Sequence, residues 1–230
     1  FGAAPGTVYW GALNKLVVDN NNTNAASASI VSGANQFDQI SLTRYGHLTV
    51  EANATITLAN DALTGDETAK LTINGILNAP ALTVKKNVLV ELAGQTTTNT
   101  NLTVDSTATL IIRGTGSPYT FNSLTVNPSG IVSLVPKILG GTDYTGDKPV
   151  EINVNTLTVE AGGIIIADGL GYPVATGPGQ GQSQTGLIGF ANSGGGSHGG
   201  WGGDGRVVSG TPYGDVYQPT TSGSGGGSVG

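Results

Sequence analysis

Cysteine and methionine are both absent from the 230 residues. Without a thiol the chain can form no disulfide, no thiolate metal site and no cysteine nucleophile, and its redox compartment leaves no mark on the sequence. Charge is scarce as well. Asp, Glu, Lys and Arg make up 10% of the residues, against about a quarter in an ordinary globular domain. Nine Lys and Arg against fifteen Asp and Glu give a formal charge of −6 and an isoelectric point near 4.6. Affinity for a phosphate backbone rests on clustered cations, so a nucleic-acid partner is excluded. No apolar run reaches the roughly 18 residues of a membrane span, and no signal peptide is present. A chain that opens at Phe1 reads as a processed or excised segment.

What the chain has is repetition. Leu-Thr-Val or a near copy stands at Leu48–Val50, Leu71–Ile73, Leu82–Val84, Leu102–Val104, Leu124–Val126 and Leu157–Val159, with starts 23, 11, 20, 22 and 33 residues apart. In an extended strand the two flanking apolar residues go to one face and the threonine to the other. A second apolar burst follows each triplet but one, as in Ile56-Thr57-Leu58, Leu110-Ile111-Ile112 and Ile164-Ile165-Ile166. The links between carry turn residues, among them Asn127-Pro128-Ser129-Gly130 and Ala161-Gly162-Gly163. No 3.6-residue apolar stripe of helical length occurs.

Short strands with one apolar face are unstable alone. Stacked at about 4.8 Å, similar coils bury continuous columns of Leu, Val and Ile. The pattern therefore predicts an all-β fold, a right-handed parallel β-helix over residues 13–168, with Leu and Val inward and Thr outward. A β-sandwich also has short alternating strands but no reason to return the same triplet at the same phase. The steps leave open a coil of about 22 residues or of about 33. Residues 1–12 form an N-terminal segment in which Tyr9 and Trp10 could cover the first coil or insert into a neighbour, making end-to-end self-association the expected partnership.

From Gly169 onward the triplets stop and 22 glycines fall in 62 residues. Tyr172, Phe190, His198, Trp201, Tyr213 and Tyr217 are spaced singly among them. A flexible linker has no use for such aromatics, so residues 169–230 are expected to be an ordered, irregular glycine-rich region. The run from Leu157 through Asp168, followed by the glycine-rich stretch ending in Gly223-Ser224-Gly225-Gly226-Gly227-Ser228, resembles a module of large bacterial surface and secreted β-helix proteins. The resemblance implies an extracellular or cell-surface structural or adhesive role, with a fibre as one form.

Enzymes on parallel β-helices gather several acids on one outer face to flank a glycosidic bond. Here Glu51, Asp105 and Glu160 each follow a triplet, with Asn127 in the same phase, and read as a solvated turn column. No enzymatic activity and no cofactor are expected. For a carbohydrate ligand the candidates are His198, Trp201, Asp204 and Tyr213, which could equally cap a core beneath their loop; one imidazole there is too few for a metal site. Sequons at Asn21, Asn53 and Asn101 are candidates for glycosylation. The threonines form one ladder if all their coils align, an arrangement that exposed strand preference alone explains.

Overall fold

The computed structural model describes residues 6–24, 28–59, 61–96, 100–138, 147–183, 193–217 and 220–228. The chain divides into two compact units. One comprises Phe1–Arg113, Ser117–Leu134 and Ile152–Ile166; the other comprises Gly114–Gly116, Val135–Glu151 and Ala167–Gly230.

The first unit is a parallel β-solenoid of about five turns. Strand β1 (Gly6–Trp10) precedes it and pairs antiparallel with β2 (Lys15–Asp19). Three strands then make a turn. The first turn is β2, β3 (Ser29–Val31) and β4 (Ala34–Phe37), and the second is β5 (Gln39–Thr43), β6 (His47–Val50) and β7 (Thr55–Leu58). The third is β8 (Leu63–Gly65), β9 (Ala69–Ile73) and β10 (Ile76–Asn78). The fourth is β11 (Ala81–Val84), β12 (Val88–Leu92) and β13 (Gln95–Thr96). The fifth opens with β14 (Asn101–Val104) and β15 (Thr109–Arg113), then enters the long β16 (Tyr119–Val126). Beyond it come β17 (Ile131–Val135), β18 (Ile152–Val159) and β19 (Ile164–Ile166).

These strands stack into three faces. Face one holds β2-β5-β8 and then β11-β14-β16-β18, face two is the seven-stranded β3-β6-β9-β12-β15-β17-β19, and face three is β4-β7-β10-β13. The first half of β16 continues face three, where the Thr96 hydroxyl donates to the Thr120 carbonyl at 3.1 Å. Tyr119 and Phe121, both fully buried, stack there at 6.3 Å, and the Tyr119 hydroxyl reaches the Leu92 and Arg113 carbonyls at 3.0 and 2.9 Å.

The register explains the triplets. Leu82, Leu102, Leu124 and Leu157 stand opposite one another on face one, as do Val84, Val104, Val126 and Val159. Leu48–Val50 and Leu71–Ile73 pair with each other on face two. The 11-residue step from Leu71 to Leu82 thus passes from face two of the third turn to face one of the fourth, so the threonines form two ladders rather than one. Thr49 meets Thr72; Thr83, Thr103, Thr125 and Thr158 form the other. In every triplet through Val126 the apolar pair is buried and the threonine is half-exposed. The coil is the shorter of the two lengths, with steps of 20 and 22 residues on face one. The 33-residue step from Leu124 to Leu157 holds extra chain between β17 and β18.

One corner repeats in three successive turns. The Ala108, Gly130 and Gly163 amides donate to the Asp105, Asn127 and Glu160 carbonyls at 3.0, 2.9 and 2.8 Å. The third residue of each turn is left-handed: Thr107 (φ 63°), Ser129 (φ 63°) and Gly162 (φ 88°). Pro128 takes the second position, where its fixed φ suits a type II turn. Glu51 lies outside this column, at the corner after face two, where the Ala54 amide donates to its carbonyl at 3.0 Å.

In the second unit, Lys137 and Lys148 exchange two backbone hydrogen bonds of 2.9 Å in an antiparallel bridge. The described residues from 167 onward form no regular strand or helix, yet backbone bonds tie distant parts together. Tyr172 N–H donates to Gly223 O at 2.8 Å, Ala175 to Gly226 at 2.7 Å, Ser197 to Gly179 at 2.8 Å and Gly227 to Gly194 at 2.8 Å. The glycines permit this packing. A Cβ on Gly210 would lie 1.9 Å from the Gly179 carbonyl oxygen, and one on Gly181 would lie 1.9 Å from that of Gly194. Among the described residues, these backbone hydrogen bonds join segments distant in sequence.

Candidate functional site

The four proposed ligand residues separate into two pairs. His198 and Tyr213 pack edge to face, with ring centroids 5.0 Å apart at 81°. His198 Nε2 is 2.9 Å from the Thr221 hydroxyl. The Tyr213 hydroxyl donates to the Ser222 carbonyl and accepts from Ser224 Oγ at 3.0 Å, and burial pushes its pKa up. The pair packs together within the second unit, with His198 Nε2 and the Tyr213 hydroxyl bonded to neighbouring residues. Phe190 lies outside the described residues, and Tyr217 is 92% exposed.

Trp201 and Asp204 face outward instead. They line a groove of about 530 Å³ together with Gln180, Gln182, Ser209 and Thr211. The Trp201 side chain is 73% exposed. Asp204 Oδ1 accepts the Ser209 backbone N–H at 2.7 Å, and that bond, joined by the Ser209 hydroxyl, holds the carboxyl below its ordinary range. Sequence reasoning passed over the glutamines. They stand two residues apart in Gly179-Gln180-Gly181-Gln182, just after the turn closed by the Gln180 N–H on the Gly177 carbonyl at 3.1 Å.

At the start of the solenoid, Tyr9 and Trp10 also separate. The Tyr9 ring meets Phe37 edge to face at 6.2 Å, and its hydroxyl donates to Asn14 Oδ1 at 3.0 Å. It covers part of the first turn. Trp10 lies on the other side of β1 with Val8, Leu13 and Val17, lining a groove of about 650 Å³ beside Lys15 and Arg44. Arg44 Nε contacts both Asp19 oxygens at 2.9 and 3.0 Å, and this pairing lowers the Asp19 pKa.

The last strands of this unit expose part of their inner row. Leu157 is 53% exposed, Val159 44% and Ile165 37%, although their partners one turn below, Leu124, Val126 and Val132, are at most 1% exposed. A periodic sequence cannot mark this, since Leu157 reads like every other triplet leucine.

Two acids of the solenoid are held by close hydrogen bonds or ion pairs. Asp105 is held in its charged form by the Ser106 backbone N–H at 2.9 Å and Asn127 Nδ2 at 3.1 Å. Glu91, outward on face two, is clamped by Lys70 Nζ at 2.7 Å and by the Arg113 guanidinium. Burial pushes its carboxyl up, and the two cations pull it further down, leaving it below its ordinary value. Among the described residues no group of three His, Asp or Glu side chains could hold a metal ion. No helix among them is long and apolar enough to cross a membrane.

The sequons differ in freedom. Asn53 is exposed in the turn between β6 and β7. Asn21 is exposed after β2, with its carbonyl oxygen 3.2 Å from Arg44 Nη1. The Asn101 amide is engaged on both sides, donating to the Pro80 carbonyl at 3.1 Å and accepting from Asn122 Nδ2 at 2.8 Å and Ser123 Oγ at 2.9 Å. Asn122 accepts in turn from Asn155 at 3.3 Å, so an asparagine ladder runs up this corner.

Comparison of the chain with family models, curated proteins and solved structures returns no match.

Proposed function

We propose that the chain is a non-enzymatic extracellular or cell-surface module, structural or adhesive, whose solenoid associates end to end with a second copy. The observation that carries this reading is the uncovered inner row of the last turn, Leu157, Val159 and Ile165. A turn of the same solenoid is the partner whose apolar row and strand edges match it, because every turn below is covered in that way. Burying apolar surface contributes about 25 cal/mol per Å², and each added backbone hydrogen bond about 0.5–1.5 kcal/mol net. A charge content of 10% leaves little repulsion between copies. The exposed threonine ladders and asparagine ladder give a neutral hydroxyl and amide surface that suits an external structural element.

An adhesive role adds a surface polysaccharide as partner, and the tryptophan groove of the second unit supports it. Electron microscopy of the purified chain tests the structural reading. Filaments or end-joined pairs are expected, and particles that stay single at high concentration would count against it.

A further inference from the structure

We propose that the groove beside Trp201 binds a neutral saccharide, with a pyranose ring laid on the indole and its hydroxyls received by Asp204 and by the amides of Gln180 and Gln182. The inference rests on the adhesive reading and supplies its ligand class.

The tryptophan is presented rather than packed. Its side chain is 73% exposed, and the chain on either side is Gly199-Gly200 and Gly202-Gly203. At Gly200 and Gly203 even an added Cβ would meet nothing within 4 Å. A flat apolar face with no neighbouring side chain to obstruct it matches the apolar C–H face of a pyranose, which is itself flat and rimmed by hydroxyls.

The rim of the groove carries the complementary polar groups. Asp204 is three residues from the indole and is pinned by the Ser209 N–H at 2.7 Å, so an ionised acceptor is already oriented. A carboxylate accepts without donating, and two adjacent sugar hydroxyls can share it. Gln180 and Gln182 each offer a donor and an acceptor, and neither amide has a side-chain partner among the described residues. Thr211 adds a hydroxyl on the same lining. The volume of about 530 Å³ falls within the roughly 300–1,000 Å³ of small-ligand sites.

Other ligand classes fit less well. A quaternary ammonium is held by several aromatic faces, and Trp201 is the one aromatic residue among the described residues of this lining. Uronic acids and nucleic acids bring negative charge to Asp204, and the described residues of the lining include no Lys or Arg to offset it. His198 and Tyr213 are outside the site, since they bond to Thr221, Ser222 and Ser224.

The test uses the full chain carrying Trp10→Phe, which leaves Trp201 as the sole tryptophan of the original two. Its fluorescence is titrated with cellohexaose, laminarihexaose, mannohexaose and chitohexaose, and separately with choline and oligogalacturonate. A saturable shift with at least one neutral oligosaccharide is expected, with a Kd of about 0.1–1 mM for a single-ring site. Asp204→Asn should weaken it about tenfold, equivalent to about 1.4 kcal/mol. His198→Ala should leave it unchanged. Trp201→Ala, followed by calorimetry because the fluorophore is lost, should abolish binding, while Trp201→Phe retains part of it. Silence with all four neutral probes overturns the inference, as does stronger binding of choline or oligogalacturonate, or binding that survives Trp201→Ala. Light scattering on the Trp201→Ala single variant should match wild type, so a failed glycan site leaves end-to-end association standing.

Discussion

Leu157 lies directly across from Leu124 on adjacent parallel strands, yet Leu124 is 1% exposed and Leu157 53%. Both residues are followed by Thr-Val and preceded by a small hydroxyl residue, Ser123 before Leu124 and Thr156 before Leu157. Only the presence of a further turn distinguishes them. In a solenoid each turn is stabilised by the one above and the one below, so the last turn keeps half of its interface.

That relationship sets the first prediction. Leu124→Ala should destabilise the solenoid by about 2–5 kcal/mol, the range for a buried leucine that leaves a cavity. Leu157→Ala in a dilute, unassociated sample should change stability by no more than about 1 kcal/mol, as exposed positions do. Urea unfolding followed by far-ultraviolet circular dichroism measures both. Equal losses would mean that the end of the solenoid is covered.

Much of the solenoid was legible in the sequence, and part was not. Leu-Thr-Val periodicity gave the parallel solenoid, the inward leucines and valines and the outward threonines, because a period of two admits only two orientations. It did not separate faces one and two, since both use the same triplet; only the 11-residue step between Leu71 and Leu82 hinted at a change. Face three left one trace, Ile56-Thr57-Leu58 in β7. Others of its strands, such as Ile76–Asn78 and Gln95–Thr96, are too short for an alternation to show. The antiparallel β1 was also hidden, as were the Lys70–Glu91–Arg113 cluster and the split of His198 from Trp201, all fixed by contacts between residues distant in sequence.

Acid stability should follow Glu91. Its folded-state pKa is lowered from the ordinary 4.5, so the unfolded chain takes up the proton first. The stabilising contribution is complete above about pH 4.5 and is lost as pH falls through the lower folded value. Glu91→Gln should flatten that part of the stability curve and cost about 1 kcal/mol at pH 7. The figure is small because Lys70 and Arg113 are 35% and 44% exposed and solvent screens them. His47 should add a separate phase at higher pH. Burial first, then the Lys70 charge, holds it below 6.5, so its contribution fades as pH drops from 6.5 towards the folded value. Melting temperatures across pH 3 to 8 for wild type, Glu91→Gln and His47→Gln would separate the two.

Order in the glycine-rich unit can be tested by one methyl group. A Cβ at Gly210 would stand 1.9 Å from the Gly179 carbonyl oxygen, whereas one at Gly203 meets nothing within 4 Å. Gly210→Ala should therefore cost about 1–3 kcal/mol or more through overpacking and open this region to proteolysis. Gly203→Ala should behave like wild type. Equal and rapid cleavage of all three chains would show a flexible linker.

In a host that performs N-glycosylation, Asn53 should be modified more fully than Asn101. Asn53 is exposed in a turn, while the Asn101 amide nitrogen is bonded to the Pro80 carbonyl and its oxygen to Asn122 and Ser123. A glycan on Asn101 would break the asparagine ladder. Glycopeptide mass spectrometry reads the occupancy of each site, and fuller occupancy of Asn101 would contradict the expectation.

The most direct measurement of end-to-end association is light scattering against concentration for wild type and for a Leu157→Asp, Val159→Asp double variant. Both substituted residues are about half exposed in the single chain, so circular dichroism should show the variant folded. The account predicts a wild-type mass that rises with concentration and a variant that stays at the 23.0 kDa of one chain. A wild-type chain that remains at that mass throughout, or a variant that associates as wild type does, would contradict it.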